Sequence, residues 1–331
     1  MKDTRMKFPP AYSRHLKTRL QRFLLAGLLL AALLPASLLG REYRFVYYEA
    51  GPYPVSRTLQ GEYRDEVRRL APEGMEIVYP PNGYMSANWD REKCRKMAKQ
   101  ISRDKKFDLV VAMGPWTVED LIEAGCKKPI VSMGRFDPIL EGIADSKGRP
   151  KYKNLTVRIR PGKVESDLQA LTTVFKAKRI GLLYFPTNTE FDTVEKYIRK
   201  QAAKVGATIV AVPPDPKKAI YQFFKKTKGL ARKIDALYLT PLFGLDLNAM
   251  NAFFTHLERE GIPAFSSEGF FQVERGAFAS NTAAMISGVA RYHADKTIRI
   301  LQGASPASLP TVFRDGRRLS LNLPAYQKAG Q

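Results

Sequence analysis

The sequence contains little cysteine and little histidine, with two Cys and three His among 331 residues. These are too few for the disulfide framework of a small secreted scaffold or for a typical Cys/His zinc site. Cys94 falls in the first turn of a predicted helix and Cys126 just past the end of the next, which places them roughly a helix length, about 15 Å, apart. A disulfide needs Cα atoms within about 7 Å. We therefore predict two free thiols.

Long apolar runs are also scarce, which excludes a multi-span permease. The one such run, Phe23–Leu34, follows seven basic side chains in residues 2–22 and precedes Pro35. These are the parts of a secretory signal. No clean cleavage site follows, and Phe23–Leu39 is, at 17 residues, just long enough to span a bilayer. The sequence predicts export of the rest of the chain, with the signal cleaved or kept as an anchor; a buried helix of the fold is the remaining interpretation.

The sequence motifs of several enzyme classes are missing. There is no G-x-G-x-x-G after a strand, no G-x-x-x-x-G-K-[ST], no H-E-x-x-H and no G-x-S-x-G. Nothing in the sequence therefore indicates a nucleotide, a cofactor or a metal ion. We predict a protein that is not an enzyme, and keep an exported enzyme with a carboxylate pair as an alternative.

Acidic residues are outnumbered, with 54 Lys and Arg against 32 Asp and Glu, a net charge of +22. A dense basic stretch occupies residues 217–233. It is typical of a solvated face, and attraction to anionic lipid or to a partner at the membrane surface is the second interpretation. Export argues against a nucleic-acid partner.

Residues 41–331 alternate β-rich runs with amphipathic helical patterns, which indicates βαβ units and parallel sheets. Asp108–Met113, for example, is a continuous apolar run of the kind found in a sheet buried on both faces. Ser56 and Asp90 are expected to cap the first two helices. We predict strands at 43–48, 75–79, 108–113, 130–132, 155–159, 179–184, 208–212, 235–239 and 263–265, and helices at 56–70, 90–103, 117–124, 164–175, 189–205, 219–228 and 247–260.

The two halves of this region resemble each other. Lys106–Val111 matches Lys233–Tyr238, and Lys128–Ser132 matches Gly261–Ser266. Either any βαβ unit looks like this, or the chain forms a pair of similar lobes. In the second case the loops after the strands would line one shared cleft, since ligands bind beyond the carboxyl ends of parallel strands.

The stretch Leu309–Gly330 resembles the carboxyl end of one family of ABC-transporter substrate-binding proteins, where a strand ending in Asn-Leu precedes an Ala/Lys-rich helix closing on Gly. Arg179–Tyr184 is similar to the family's first strand of the second lobe, and Arg275–Ser280 to its G-A-L-A strand. Leu301–Pro310 is similar to its connector L-x-G-x-x-P-x-x-[IL]-P. The resemblance extends over nearly all of the chain after residue 40.

The resemblance implies a type-1 periplasmic-binding fold: α/β, with two similar doubly wound parallel-sheet lobes joined by three crossovers, after an N-terminal apolar helix. Residues 1–40 would be the signal or anchor. Residues 41–157 plus 282–303 would form lobe 1, and residues 158–281 plus 304–331 lobe 2.

The loops after the predicted strands are expected to form the ligand site. A small zwitterion needs a bidentate donor for its carboxylate, an acidic acceptor for its amine and apolar walls. Arg135 is the candidate donor, and Asp137 or Glu268 the candidate acceptor. The helix that opens at Thr117 offers backbone N–H groups to an anion. The remaining candidates are the strand-end residues Glu49 and Asn188 and the apolar walls Tyr53, Trp116 and Phe243.

The resemblance further implies an extracytoplasmic protein of the periplasm that captures a small molecule by hinge closure and docks on an ABC permease. An anionic membrane surface is a further candidate partner. A membrane-tethered sensor or adaptor with the same fold is the alternative, and retention of Phe23–Leu39 would favour it.

Overall fold

A computed structural model describes residues 41–183, 191–211, 229–282, 285–314 and 318–328. The predicted N-terminal apolar helix and the predicted helix at 219–228 lie outside these residues, as does most of the basic stretch. In the described part of the chain, no helix is long and apolar enough to cross a membrane. Residues 43–71 together with 77–331 form one compact unit, which contains both sheets described below except the first two residues of two strands in the first sheet.

The first sheet, which defines lobe 1, has the strand order β2-β1-β4-β5-β6, with β3 paired to β1. The pairs β1–β3, β1–β4, β4–β5 and β5–β6 are parallel. Every residue of β4 is buried, because apolar side chains face helices on both sides of the sheet. Its strands are β1 Arg41–Glu49, β2 Met75–Val78, β3 Tyr84–Ser86, β4 Leu109–Met113, β5 Ile130–Met133 and β6 Leu155–Thr156.

The second sheet, which defines lobe 2, has the order β12-β11-β10-β9-β7-β8. All its pairs are parallel except β12–β11, because β12 runs antiparallel to β11 at the sheet edge. The strand pattern did not predict this edge strand's direction. Its strands are β7 Arg179–Leu183, β8 Thr208–Ala211, β9 Ala236–Leu239, β10 Ala264–Ser266, β11 Ala279–Asn281 and β12 Leu319–Leu321.

Two of the predicted helix caps differ in outcome. Asp90 caps its helix as predicted, with its side chain accepting from the Lys93 N–H at 2.9 Å. The cap at Ser56 is wrong: the helix begins earlier, at Pro54, because proline suits the first helical turn. The helices are α1 Pro54–Leu70, α2 Arg91–Arg103, α3 Thr117–Glu123, α4 Lys163–Thr173, α5 Phe191–Lys204, α6 Leu247–Arg259, α7 Phe270–Val273, α8 Ile286–Leu301 and α9 Leu323–Lys328.

The chain passes between the lobes at paired crossover segments. The predicted strand at 155–159 leaves the lobe 1 sheet after Thr156, and Ile159 instead forms a parallel bridge with Val312. The Ile159 N–H donates to the Thr311 carbonyl at 2.7 Å, and its carbonyl accepts from the Phe313 N–H at 2.8 Å. Two crossovers are thereby held side by side. The fold class is confirmed, while the residue boundaries of the lobes stay a prediction.

Both cysteines are buried and free. Tyr48 holds the first in place, since its hydroxyl donates to the Cys94 carbonyl at 2.8 Å. Burial raises the pKa of the Cys94 thiol to about 12. The thiol therefore remains protonated and packs as a small apolar side chain.

Candidate functional site

The carboxyl ends of the strands of both lobes meet at one cleft. Tyr53, which follows β1, reaches the segments that follow β9 and β10 in the other lobe. A cavity of about 90 Å³ lies here, and a second cavity of about 460 Å³ adjoins it and shares Val55, Glu268 and Ile286 with it. The cleft that the paired lobes predicted is therefore present, and both lobes and the crossovers line it.

Tyr53 joins lobe 1 to lobe 2 through its hydroxyl group. The hydroxyl donates to Oε2 of Glu268 and accepts from the Leu242 N–H at 3.3 Å. The Tyr53 side chain is only 2 % exposed. Burial and the charge of Glu268 raise its pKa well above the usual value, so it remains a donor at any physiological pH. We call this contact the Tyr53–Glu268 pair.

The Glu268 carboxyl is held from its own lobe as well. Gln272 donates from Nε2 to the same oxygen, Oε2, at 2.6 Å. Ser266 supports both residues, because its Oγ donates to Oε1 of Gln272 at 2.7 Å and accepts from the Glu268 N–H at 3.0 Å. Burial raises the pKa of Glu268 to about 7. The described hydrogen bonds to this carboxyl all end on Oε2, which leaves Oε1 available to a ligand amine.

Three aromatic rings pack in a row beside this pair. Phe243 packs edge-on against Tyr53, with ring centroids 5.3 Å apart, and lies 6.0 Å from Trp89. Trp89 in turn meets Trp116 at 6.4 Å. The Trp89 ring rests on Gly51, where a Cβ atom would lie 2.5 Å from the ring. Phe243 lines the smaller cavity, and its role as a ligand wall stays a prediction. The sequence analysis did not single out Trp89, because it follows a short strand with no distinguishing pattern.

Arg135, the predicted carboxylate donor, lies in a buried charge network. Its guanidinium donates to Oε1 of Glu119 at 2.5 Å and to Oε2 of Glu141. It also donates to the Gly114 carbonyl at 3.1 Å. Burial opposes its charge, but the two carboxylates raise the pKa of Arg135 above its usual value. Arg135 lines the cavity, yet most of its donors are already engaged, and its role in ligand binding stays a prediction.

Arg160 is a cleft residue that the sequence reasoning missed. It lies in the first crossover and lines the smaller cavity with Glu268. Its charge lowers the pKa of Glu268, Asp137 and Asp167. Within the described residues, no hydrogen bond or ion pair holds its guanidinium. The Arg158-Ile159-Arg160 alternation around a buried Ile159 is a signal that could have found it, since residues i and i+2 of an extended segment face the same side.

Other predicted residues serve local structure. Glu49 accepts from the Tyr84 hydroxyl at 2.6 Å, and Thr117 donates from Oγ1 to the Gly114 carbonyl at 3.0 Å. Asp137 accepts from the Ile139 N–H at 2.8 Å and so begins a turn. Burial raises the pKa of Asp137. Of the predicted residues, the structure brings together Tyr53, Arg135, Phe243 and Glu268 around the smaller cavity. Asn188 lies outside the described residues.

The described part of the chain holds no group of three or more His, Cys, Asp or Glu side chains that could bind a metal ion.

Comparisons with known proteins agree with this arrangement. A family model described as ABC transporter substrate binding protein matches residues 68–330. No match was found among curated proteins. Among solved structures, the chain is similar to an ABC domain in complex with L-Trp from Streptococcus pneumonia, with 19% identity, a TM-score of 0.72 and coverage of 88% of this chain and 95% of that one.

Two further structures are similar. One is a conserved domain protein from Vibrio cholerae O1 biovar eltor, with 21% identity, a TM-score of 0.72 and coverage of 88% and 95% of the two chains. The other is the ligand-free, open structure of a substrate-binding protein with adhesive properties from Clostridium difficile, with 21% identity, a TM-score of 0.57 and coverage of 87% and 95%. At these identities the likeness establishes the fold.

Proposed function

The chain belongs to the family of ABC transporter substrate-binding proteins, and from this premise we propose that it captures a small solute in the cleft between its lobes and delivers it to a membrane permease. The observation that carries the proposal is the cavity that both lobes line, with Arg160 and Glu268 on its wall. Family membership also supports a role in binding rather than in catalysis.

The charges around the cavity suggest the class of solute. Arg160 offers a guanidinium for a carboxylate or another planar anion. Glu268 offers Oε1 to an amine, and Phe243 supplies an apolar wall. The adjoining cavity of about 460 Å³ has room for the body of a small organic molecule. We propose a small carboxylate-bearing solute, with or without an amine; the similar Streptococcus structure in complex with L-Trp is consistent with this class.

The proposed mechanism is hinge closure. The Tyr53–Glu268 pair already spans the cleft, so it is a contact that must break when the lobes separate. A solute that contacts Arg160 at the crossovers and both walls binds the closed form better than the open one. Its differential affinity for the closed form then shifts the population toward closure. The paired crossovers at Ile159 and Val312 are the segments that would bend.

The closed protein would present its solute to a permease driven by a cytoplasmic ATPase. The basic, apolar N-terminus supports an extracytoplasmic location, in the periplasm or anchored to the cytoplasmic membrane by residues 23–39. The length of Phe23–Leu39 also favours a second function, a membrane-tethered ligand sensor or adaptor. Finding the mature N-terminus by mass spectrometry separates the two, since retention of this segment supports the adaptor.

A thermal-shift screen of the purified protein tests solute binding. The probes are amino acids, small carboxylates, sugars, nucleosides and purines. A ligand at 100 times its Kd adds about 2.7 kcal/mol to the free energy of unfolding, which raises Tm by roughly 2–4 °C for a chain of this size. Hits confined to carboxylates support the proposed class. Hits confined to sugars or nucleosides refute it.

Variants then assign the anion partner. Arg160→Gln should weaken a carboxylate ligand by about 2–4 kcal/mol, because the buried anion loses its charge partner. Arg95→Gln removes an exposed guanidinium on α2 and serves as the control, with affinity unchanged. Calorimetric titration measures both. If Arg160→Gln binds like the wild type, Arg160 is not the anion partner, and Arg135 regains that role.

A further inference from the structure

One edge of the lobe 1 sheet gathers exposed basic side chains. In a parallel sheet, the turns that precede each strand and the ends of the crossover helices lie at the same edge, the amino edge. On lobe 1, the ends of α2 and α3 and the turns just before β4, β5 and β6 hold six exposed basic side chains at this edge, against the carboxylates Asp104, Asp108 and Glu123. We call this set the basic edge: Arg103, Lys105, Lys106, Lys127, Lys151 and Lys153.

Hydrogen bonds join the turns of the basic edge into one surface. Lys128 donates from Nζ to the carbonyls of Ile101 at 3.0 Å and Ser102 at 3.3 Å, which ties the turn before β5 to the end of α2. Asn154 donates from Nδ2 to the carbonyls of Cys126 at 2.9 Å and Lys128 at 2.8 Å. The segment before β6 is thereby held against the same turn. The six basic side chains therefore project from neighbouring positions.

The opposite edge of the same lobe carries the opposite charge. At the carboxyl ends of its strands and in the helical turns that follow them, six carboxylates accompany four basic side chains, those of Arg57, Arg91, Lys93 and Arg135. The turns of the amino edge are thus more basic than the loops at the carboxyl edge, although α2 also exposes Arg95, Lys96 and Lys99 between the two edges. The carboxylates are those of Glu49, Asp90, Glu119, Asp120, Asp137 and Glu141.

We propose that the basic edge of lobe 1 is a binding surface for anionic lipid headgroups at the membrane. Charge complementarity supports this, because Lys and Arg near an anionic leaflet are attracted to it within about a Debye length. The connection of the chain supports it as well. Only four residues lie between Leu39, the end of the apolar run, and Arg44 in β1, and the five residue steps from one to the other span at most about 17 Å. Arg44 lies at this edge, where its N–H donates to Oδ2 of Asp108 at 2.8 Å.

This proposal does not rest on solute binding, and it is tested without a solute. The full-length protein is mixed with vesicles of phosphatidylcholine alone, or of phosphatidylcholine and phosphatidylglycerol in equal parts, and bound protein is measured by flotation. Neutral vesicles report the contribution of the N-terminal segment alone. We expect stronger binding to the anionic vesicles, and a decline of that excess as salt is added.

Two variants with equal charge loss locate the surface. The lobe 1 variant carries Lys105→Gln, Lys106→Gln, Lys127→Gln and Lys151→Gln, and should lose the anionic excess by roughly tenfold or more. The control carries four changes at the same edge of the lobe 2 sheet and should keep affinity within about twofold of the wild type. Its changes are Lys176→Gln, Lys178→Gln, Arg232→Gln and Lys233→Gln.

Other results would overturn the proposal. Equal losses in the two variants would mean that net charge, and not this edge, attracts the vesicles. No preference of the wild type for anionic vesicles would mean that the edge does not bind lipid. Hydrogen exchange of the wild-type protein gives a second measurement that needs no variant: vesicle binding should slow exchange in residues 103–106 and 126–128, and unchanged exchange there contradicts the proposal.

Discussion

Glu268 connects the two lobes, and its titration should make the stability of the protein depend on pH. Burial raises the pKa of its carboxyl from 4.5 to about 7, against the lowering effects of Tyr53, Arg160 and Gln272. The folded protein therefore binds this proton more tightly than the unfolded chain does. For this group alone, the free energy of unfolding is highest below about pH 4.5. The stabilisation that the Glu268 proton provides is then lost as the pH rises through about 7. A pKa difference of this size corresponds to roughly 3 kcal/mol.

Glu268→Gln isolates the effect, because glutamine keeps the size and polarity of the side chain but does not titrate. Urea unfolding of both proteins, from about pH 4.5 to about pH 7.5, gives the difference in the free energy of unfolding. We expect the wild type to lose roughly 3 kcal/mol relative to the variant over this range, and nothing further above it. His293 and Lys296 are also buried, with lowered pKa values, but both proteins contain them and their contributions cancel.

Glu62→Gln provides the matched control. Glu62 is an exposed residue of α1 that lines the adjoining cavity, so its replacement should leave the pH dependence of the wild type intact. If the curves of the wild type and Glu268→Gln run parallel over the whole range, the reasoning is refuted: the carboxyl would then titrate in the folded protein as it does in the unfolded chain.

Two further predictions concern the same cleft. Tyr53→Phe removes the hydroxyl that donates to Glu268 and accepts from the Leu242 N–H. Urea unfolding should show that the free energy of unfolding falls by about 1.5–3 kcal/mol, as for hydrogen bonds to charged groups. An unchanged stability would mean that the pair contributes nothing. Gly51→Ala places a methyl group against the Trp89 ring and should cost about 1–3 kcal/mol of stability and weaken ligand binding. Gly61→Ala, in α1 with open space around it, should instead add up to about 1 kcal/mol, so two equally stable variants would contradict the packing argument.

Much of the fold could be predicted because its causes are local. The continuous apolar run of β4 indicated a strand buried on both faces, and the structure buries all five residues. The cap at Asp90 depends on a side chain three residues from its partner. The Ser56 cap failed for a local reason too, since the proline at position 54 starts the helix one half-turn earlier. The direction of β12 could not be read locally, because it depends on how the last crossover returns to the sheet.

The candidate site, too, has residues that local sequence patterns could predict and contacts that they could not. The rule that loops at strand ends line the cleft found Tyr53, Phe243 and Glu268. It could not find the Tyr53–Glu268 pair, whose members are 215 residues apart. Nor could it tell that Arg135 would be surrounded by Glu119 and Glu141 while Arg160, in a crossover, keeps its guanidinium available.

The amino-acid sequence by itself determined the alternation of strands and helices and the excess of positive charge, because periodicity and composition act within a few residues. The two-lobed fold class followed from the resemblance to a known family. Only the tertiary structure decided which charges neutralise each other and which face the cleft or the solvent. A guanidinium is equally charged at positions 135 and 160. What differs is the set of carboxylates that distant segments bring within hydrogen-bond distance, and that set depends on the packing of the whole chain.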